Sequence, residues 1–303
     1  MEAKFRWVAI TAVAPVAWGT TYFVTHRFLP ADHAIWGAVI RALPAGLLLL
    51  LVRRRLPRGS WWWRSLVLGS LNMGAFFALV YLAAQLLPTS IASTIMATSP
   101  VMMMLLAWAA LAERPRVAHL AGAGLGILGV FLMLATGPAA VSPAGVLASV
   151  AAMTMSSLGY VLAKKWSAGI DVFSLTAWQL VAGAAVLLPV AVAVEGAPPA
   201  LDGPALAAFG YVSIVATAVA FAAWFTGLRH LSAATVGLVG LLNPITGVLL
   251  GTVIAGEVLT ARQVGGIALV FTGILLGQPV TARLFAAVRR PRGPQPALTG
   301  ACR

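Results

Sequence analysis

Long runs of apolar residues, separated by short polar connections, follow one another along most of the chain. A run of about 20 apolar residues is long enough to cross the ~30 Å hydrocarbon core of a bilayer as an α-helix. Reading each run between charged residues, proline or glycine predicts ten membrane-spanning helices. Their expected ranges are 7–26, 33–52, 64–84, 90–111, 117–136, 143–163, 172–194, 204–226, 232–254 and 262–279.

Several of these predicted helices begin with a capping signal. Asp32, Asp171 and Asp202 are expected N-caps, and Ser142 precedes a proline at the first helical position. Thr260 followed by Gln263 fits a capping box. The connections are short, so neighbouring helices should be antiparallel. The runs are also continuous, whereas the strands of an outer-membrane barrel need alternating polar residues. The predicted fold class is therefore all-α integral membrane.

Composition leads to the same class. Of the 303 residues, 61% are apolar and 9% charged, with a mean hydropathy of +0.96. A soluble domain usually carries about 25% charged residues, so a soluble globule and a disordered chain are both excluded. The single cysteine, Cys302, and four dispersed histidines give no disulfide framework and no metal-ligand spacing. No metal or cofactor is expected.

The net charge of +13 is explained by its distribution along the chain. With the N-terminus inside, only Arg27 and Arg262 fall in external loops and Arg41 falls within a span, whereas 17 basic residues fall inside. The inside group is Lys4, Arg6, Arg53, Arg54, Arg55, Arg58, Arg64, Arg114, Arg116, Lys164, Lys165, Arg229, Arg283, Arg289, Arg290, Arg292 and Arg303. Because cytoplasmic loops of membrane proteins are enriched in Lys and Arg, we expect an inner-membrane protein with both termini cytoplasmic. The charge is a topology signal, and no nucleic-acid partner is expected.

The two halves of the sequence resemble each other. Pro100 and Pro244 each stand 13 residues before a glutamate, Glu113 and Glu257, at an offset of 144. The same offset aligns the pairs Phe77 and Phe221, Ala78 and Ala222, Gly122 and Gly266, and Gly129 and Gly273. At slightly smaller offsets, 138 and 137, Tyr22 falls on Tyr160 and Gly46 on Gly183.

Five predicted spans in each half is an odd number, so the second half enters the membrane from the opposite side. The expected architecture is two inverted five-helix repeats, residues 1–137 and 138–280, followed by a basic disordered cytoplasmic tail over 281–303. Inverted repeats are typical of secondary transporters, in which the substrate site lies near the midplane between the repeats.

With these motifs in view, the halves resemble tandem EamA domains of the drug/metabolite transporter superfamily over roughly residues 7–279. The resemblance is carried by Trp18-Gly19, Arg41, Thr89-Ser90 through Pro100 to Leu111-Ala112-Glu113-Arg114-Pro115, Asn243-Pro244, Gly256-Glu257, and Gly265-Gly266 through Gly273. It implies ten helices, cytoplasmic termini and, usually, export of amino acids or other small metabolites. The second half departs from the first by having Ser156-Ser157 where the first has Trp18-Gly19.

Polar and aromatic residues at predicted midplane depth are the candidate substrate-binding residues. They are Trp18, Tyr22, Arg41, Asn72, Phe76, Thr94, Thr98, Tyr160, Trp178, Trp224 and Asn243. Arg41 is the only charge well inside a span, and a charge there costs at least ~2.5–3.5 kcal/mol on insertion scales, so it should face the bundle or a wet cavity. The aromatic groups suit an amphipathic small molecule. For most of these side chains, helix packing is the alternative interpretation.

The sequence therefore predicts a secondary transporter, most simply an exporter of amino acids or related compounds. Its expected partners are a small-molecule substrate and the lipid bilayer. A multidrug exporter or a metabolite importer of the same fold is the alternative within transport. An integral-membrane enzyme acting on lipid-linked substrates is the alternative from another class. The sequence leaves open whether the protein is a monomer or a homodimer.

Overall fold

The computed structural model describes residues 2–96, 98–99, 102, 105–106, 108–109, 117–134, 142–166, 169–230, 239–240 and 242–276. Throughout these residues the regular structure is helical. The helices are α1 (Glu2–Phe28), α2 (Ala34–Arg53), α3 (Trp61–Gly69, continued by Ser70–Gly74 and Ala75–Leu86), α4 (Thr89–Met96), α5 (Val117–Leu134), α6 (Pro143–Trp166), α7 (Val172–Val194), α8 (Gly203–Gly210, continued by Tyr211–Val219 and Ala220–His230), α9 (Leu242–Leu249, continued by Leu250–Ile254) and α10 (Ala261–Leu276).

Six helical segments in this part of the chain are long and apolar enough to cross a membrane. They are Phe5–Phe28, Ala34–Arg53, Trp61–Leu86, Pro143–Ala163, Val172–Val194 and Gly203–Trp224. Shorter apolar helices cover Leu120–Leu132 and Leu242–Ile254. The all-helical class is confirmed, and the count of ten spans stays a prediction. Pro100, Glu113 and the tail over 281–303 lie outside the described residues.

The predicted helix starts are mostly confirmed. The carboxylates of Asp171 and Asp202 accept the backbone N–H groups of Ser174 and Ala205. Thr260 and Gln263 form the reciprocal capping box, and Ser142 Oγ accepts the N–H of Gly145.

The prediction that Asp32 caps α2 is wrong. The first amides of α2 donate instead to a carboxylate at the end of α7. Ile35 N and Trp36 N each lie 2.8 Å from an oxygen of Glu195. Similarly, Glu257, which follows α9, accepts the N–H groups of Thr89 and Ser90 at the start of α4. A carboxylate is favourable there because the N-terminus of a helix carries a partial positive charge.

The helix ends sort onto two faces of the bundle. On one face Arg53 at the end of α2 pairs with Asp171 before α7 at 3.4 Å, and Trp7 stacks on His230 with ring centroids 3.7 Å apart. We call this the arginine face, because Arg54, Arg55 and Arg58 follow α2 there. On the opposite face lie the Glu195 and Glu257 contacts, and we call it the glutamate face.

Contacts between helices join the first half of the chain to the second. α1 packs on α8 and α9, while α6 packs on α3 and α4; α2 packs on α8, while α7 packs on α3. The pairs α2 and α7, α4 and α9, and α5 and α10 also pack against each other. In the last pair, a Cβ at Gly129 would lie 2.5 Å from Gly266 O, and a Cβ at Gly273 would meet Gly122 O equally closely. Glycine therefore sets the distance between α5 and α10.

The long helices α3 and α8 each contain a π-helical segment, over Ser70–Gly74 and Tyr211–Val219. Such segments widen the helix, shift the direction of the side chains and occur often at functional sites. Each segment bonds to a facing helix. Thr217 Oγ1 accepts from Arg41 Nε at 3.0 Å, and Asn72 Nδ2 donates to Gln179 Oε1 at 2.7 Å.

Candidate substrate-binding cavity

A cavity of about 210 Å³ lies between helices of both halves of the chain. Its lining combines aromatic rings, hydroxyl groups, one amide and one guanidinium. The lining residues are Trp18, Thr21, Tyr22, Arg41, Phe76, Phe77, Val80, Met96, Ser99, Ser156, Ser157, Tyr160, Phe221 and Asn243. This mixture of a mostly apolar wall with a few polar groups is typical of a small-molecule site.

Arg41 is the only charged residue in that lining. Its side chain is 8% exposed, its Nε donates to Thr217, and its guanidinium carbon lies 4.0 Å from the centroid of the Phe77 ring. Within the described residues no carboxylate forms an ion pair with it. The guanidinium carries five N–H donors, and the cavity is where donors beyond Nε can find an acceptor. The site therefore presents a positive charge to whatever enters.

A polar side chain precedes each of the two prolines, Ser99 before position 100 and Asn243 before position 244. Asn243 Oδ1 is buried without a hydrogen-bond partner in the described structure. Ser99 Oγ donates to Met96 O, the carbonyl that loses its usual donor because proline at position 100 has no N–H. Ser99 thus satisfies the last carbonyl of α4, whereas Asn243 Oδ1 has no partner in the described structure.

The aromatic wall is built from rings that pack against one another at tilted angles. Trp18 lies 5.3 Å from Phe221 and 5.4 Å from Trp224 between ring centroids, and Phe76 lies 5.6 Å from Phe77. Tyr22 is 5% exposed. These distances fall in the 4.5–7 Å range of favourable aromatic pairs, so a packed apolar surface lies next to the Arg41 charge.

The lining residues come in pairs at constant spacing along the sequence. Residues 18 and 156, and residues 22 and 160, differ by 138, and residues 77 and 221, and 99 and 243, differ by 144. These are two of the offsets at which the halves of the sequence align. Both halves therefore contribute matching positions to one cavity.

Of the eleven predicted site residues, the structure brings six to the cavity and places five elsewhere. Trp18, Tyr22, Arg41, Phe76, Tyr160 and Asn243 line it. Asn72 is bonded to Gln179 on α7, and Thr94 and Thr98 donate to carbonyls of α4 itself. Trp178 Nε1 donates to Arg55 O at the arginine face, and Trp224 packs against Trp18 from outside the lining.

Sequence reasoning left out lining residues that the repeat could have identified. Phe77 and Phe221 aligned at the 144 offset, and Ser156 and Ser157 aligned with Trp18 and Gly19, yet none was chosen as a candidate. The candidates follow from polarity or ring chemistry at estimated depth, without use of the repeat. Applying both offsets to each candidate residue adds three lining residues, Val80, Ser99 and Ser156.

The helical fold, its apolar surface and this cavity are those of a multi-pass membrane protein with an internal cavity. The chain belongs to the EamA-like transporter family, whose model matches residues 5–135 and 143–277. The family model thus matches the chain twice, once in each half.

Several curated proteins are similar over most of their length. Protein PecM of Dickeya dadantii (strain 3937) is 36% identical over 270 residues, which is 88% of this chain and 91% of the relative. The "uncharacterized inner membrane transporter YedA" of Escherichia coli (strain K12) is 26% identical over 81% of each chain. A "probable amino-acid metabolite efflux pump" of Salmonella typhimurium (strain LT2) is 25% identical over 91% of this chain and 95% of the relative.

A solved crystal structure of a protein has the same fold. It superposes with a TM-score of 0.64 and 20% sequence identity, covering 92% of this chain and 98% of the other. At this identity the similarity concerns the fold.

Proposed function

We propose that the protein is a secondary transporter of the inner membrane that moves a small metabolite by alternating access through the central cavity. The observation that carries the proposal is a buried guanidinium, Arg41, with no ion-pair partner among the described residues, facing a cavity of metabolite size. A substrate anion would supply the missing counter-charge. The family membership and the transporters among the relatives support the same class.

The lining indicates how a substrate of this kind would bind. A carboxylate would accept hydrogen bonds from Arg41, as charge-assisted bonds between guanidinium and carboxylate are among the strongest in proteins. An amino group would donate to the unpaired Oδ1 of Asn243. The side chain of the substrate would contact Trp18 and Phe221. This arrangement suits an amino acid or a related amphipathic acid, and a relative named as a probable amino-acid metabolite efflux pump supports that choice.

We further propose ten spans arranged as two inverted repeats, α1–α5 and α6–α10, that rock about the cavity. If each helix of the first set is exchanged with its counterpart in the second, α1 with α6, α2 with α7 and α3 with α8, the observed contacts map onto each other. The contact of α1 with α8 becomes that of α6 with α3, and the contact of α2 with α8 becomes that of α7 with α3. The matching positions in the cavity lining support the same symmetry. Transporters with such repeats alternate access by moving one bundle against another around a fixed site.

A ligand screen on the purified protein tests the proposal. Amino acids, their carboxylate analogues without an amino group, and uncharged amides are added separately, and the melting temperature is measured. A specific ligand raises it by mass action. We expect carboxylate-bearing compounds to stabilise and matched amides not to. Counterflow of the stabilising compound in proteoliposomes then distinguishes transport from binding, and binding without any flux would contradict the proposal. The direction of flux in cells separates an exporter from an importer.

Labelling of single cysteines tests the orientation. In a Cys302→Ser background, Ala197→Cys on the glutamate face should react with a membrane-impermeant thiol reagent added to intact cells. Arg58→Cys on the arginine face should react only after the membrane is permeabilised, because the positive-inside rule places that face in the cytoplasm. Both side chains are exposed in the structure. The reverse labelling pattern would contradict the proposed topology.

We also expect that a proton gradient alone does not drive transport. The described acids lie at helix ends or in connections, and Glu257 accepts backbone N–H groups at the start of α4. With the membrane potential clamped, an imposed pH gradient should give no uphill accumulation, whereas potential should act on a charged substrate at ~2.3 kcal/mol per charge per 100 mV. The measurement uses proteoliposomes containing wild type, Glu113→Gln or Glu257→Gln. Proton-driven accumulation that either variant abolishes would refute this expectation.

A further inference from the structure

A second cavity, of about 720 Å³, opens at the arginine face. It is formed by the connection between α2 and α3 together with the start of α7. The lining residues are Arg54, Arg55, Leu56, Pro57, Arg58, Trp61, Trp62, Ile170 and Trp178. None of them lines the central cavity.

The three arginines of this lining have no counter-charge in the described structure. Arg53, the preceding residue, pairs with Asp171, but no ion pair with a carboxylate forms at Arg54, Arg55 or Arg58. Three like charges around one cavity repel each other, and an anion placed among them relieves that repulsion. The site therefore favours a ligand of negative charge.

The cavity is held in shape by specific contacts. Trp178 Nε1 donates to Arg55 O at 2.7 Å, and its ring lies 5.9 Å from that of Trp61. Arg54 adopts a left-handed backbone conformation, with φ of 50°, which turns the chain away from α2 while its N–H still bonds to Leu50 O. The α2–α3 connection is thus fixed to the start of α7.

Apolar side chains continue from the cavity onto the outer surface of the bundle. Leu51 and Val52, in the last turn of α2, are 71% and 70% exposed, and Trp62 is 59% exposed. In a membrane protein such a surface faces acyl chains, and tryptophan is enriched where they meet the headgroups. A basic cavity therefore lies directly beside a surface suited to hydrocarbon.

We propose that this cavity binds the phosphate headgroup of an anionic phospholipid, with the guanidinium groups of Arg54, Arg55 and Arg58 around the phosphate. The acyl chains lie along Leu51, Val52 and Trp62. Clusters of basic residues at the end of a membrane helix commonly bind anionic lipids. A lipid held there would fix the α2–α3 connection to α7 from the membrane side.

The test compares lipids and variants on the full-length protein in an uncharged detergent. Dioleoyl phosphatidylglycerol is titrated against dioleoyl phosphatidylcholine, and both the melting temperature and the bound lipid in native mass spectra are recorded. We expect phosphatidylglycerol alone to raise the melting temperature and to give a discrete adduct. The variant R54Q/R55Q/R58Q should weaken that binding on the order of 100-fold, at roughly fivefold for each arginine.

Two control variants separate the cavity from general charge attraction. R289Q/R290Q/R292Q removes the same charge near the end of the sequence and should bind phosphatidylglycerol as wild type does. Ile170→Trp keeps every charge but narrows the cavity, and should weaken the adduct. Equal loss in both triple variants, or full binding by Ile170→Trp, would overturn the proposal. Stabilisation by glycerol 1-phosphate equal to that by the lipid would also overturn it, since the site would then hold a soluble phosphate.

Discussion

Replacing Arg41 by glutamine should abolish substrate-dependent flux while leaving the protein folded. Loss of a buried partner from a charged hydrogen-bonded contact costs about 2–5 kcal/mol, which is at least about 30-fold in apparent affinity. The stability of the unliganded protein should change little, because removing a charge from the cavity offsets the loss of the bond to Thr217 and of the contact with Phe77. Counterflow and melting temperature are measured on the same preparation.

Two further variants serve as controls for Arg41→Gln. Arg27→Gln removes one positive charge from an exposed position at the end of α1 and should transport as wild type does. Arg41→Lys keeps the charge but lacks the planar fork of donors, so it should retain part of the flux. Wild-type affinity in Arg41→Gln would show that the guanidinium is not a substrate contact.

The second large effect is expected at Gly129, where α5 crosses α10. An alanine there would place its Cβ 2.5 Å from Gly266 O and 2.8 Å from Val270 N. Both neighbours are backbone atoms, so the helices themselves must move apart. Overpacking of this kind costs about 1–3 kcal/mol, and a protein of this size loses roughly 1–2 °C in melting temperature per kcal/mol. Melting curves in detergent measure the loss.

The same helix supplies the control. A Cβ at Gly124 meets no atom within 4 Å, so Gly124→Ala makes the same chemical change without a clash. It should be neutral or stabilising, because alanine is the better helix former. If Gly129→Ala and Gly124→Ala had the same melting temperature, close backbone packing between α5 and α10 would not contribute to stability.

The helical class could be predicted from the sequence because hydrophobic run length depends on local composition alone. The caps at Asp171, Asp202 and Thr260 were also predictable, since each bonds within its own first turn. The prediction for Asp32 is wrong because the first amides of α2 donate to Glu195, which lies 160 positions after Ile35. A contact at that distance leaves no local pattern, and the sequence offers only the residue type.

The candidate site shows the same limit. Arg41 could be predicted, because a charged side chain within a membrane span must face the bundle interior or a wet cavity. Depth along a helix, however, does not state which way a side chain points. Asn72 bonds to another helix, Thr94 to a carbonyl of its own helix and Trp178 to the α2–α3 connection. The π-helical segments in α3 and α8 add to this difficulty, since they rotate the faces of those helices relative to a regular α-helix.

The glutamate contacts have a consequence for the synthesis of the protein. The first amides of α2 and α4 bond to carboxylates that lie 160 and 168 residues further along the chain. At a translation rate of roughly 5–20 residues per second, each helix start waits about 8–30 s for its partner to be made. During that interval the amides at the starts of α2 and α4 lack their final carboxylate partners. The ribosome must therefore deliver most of the chain before its earliest helices can reach their final contacts.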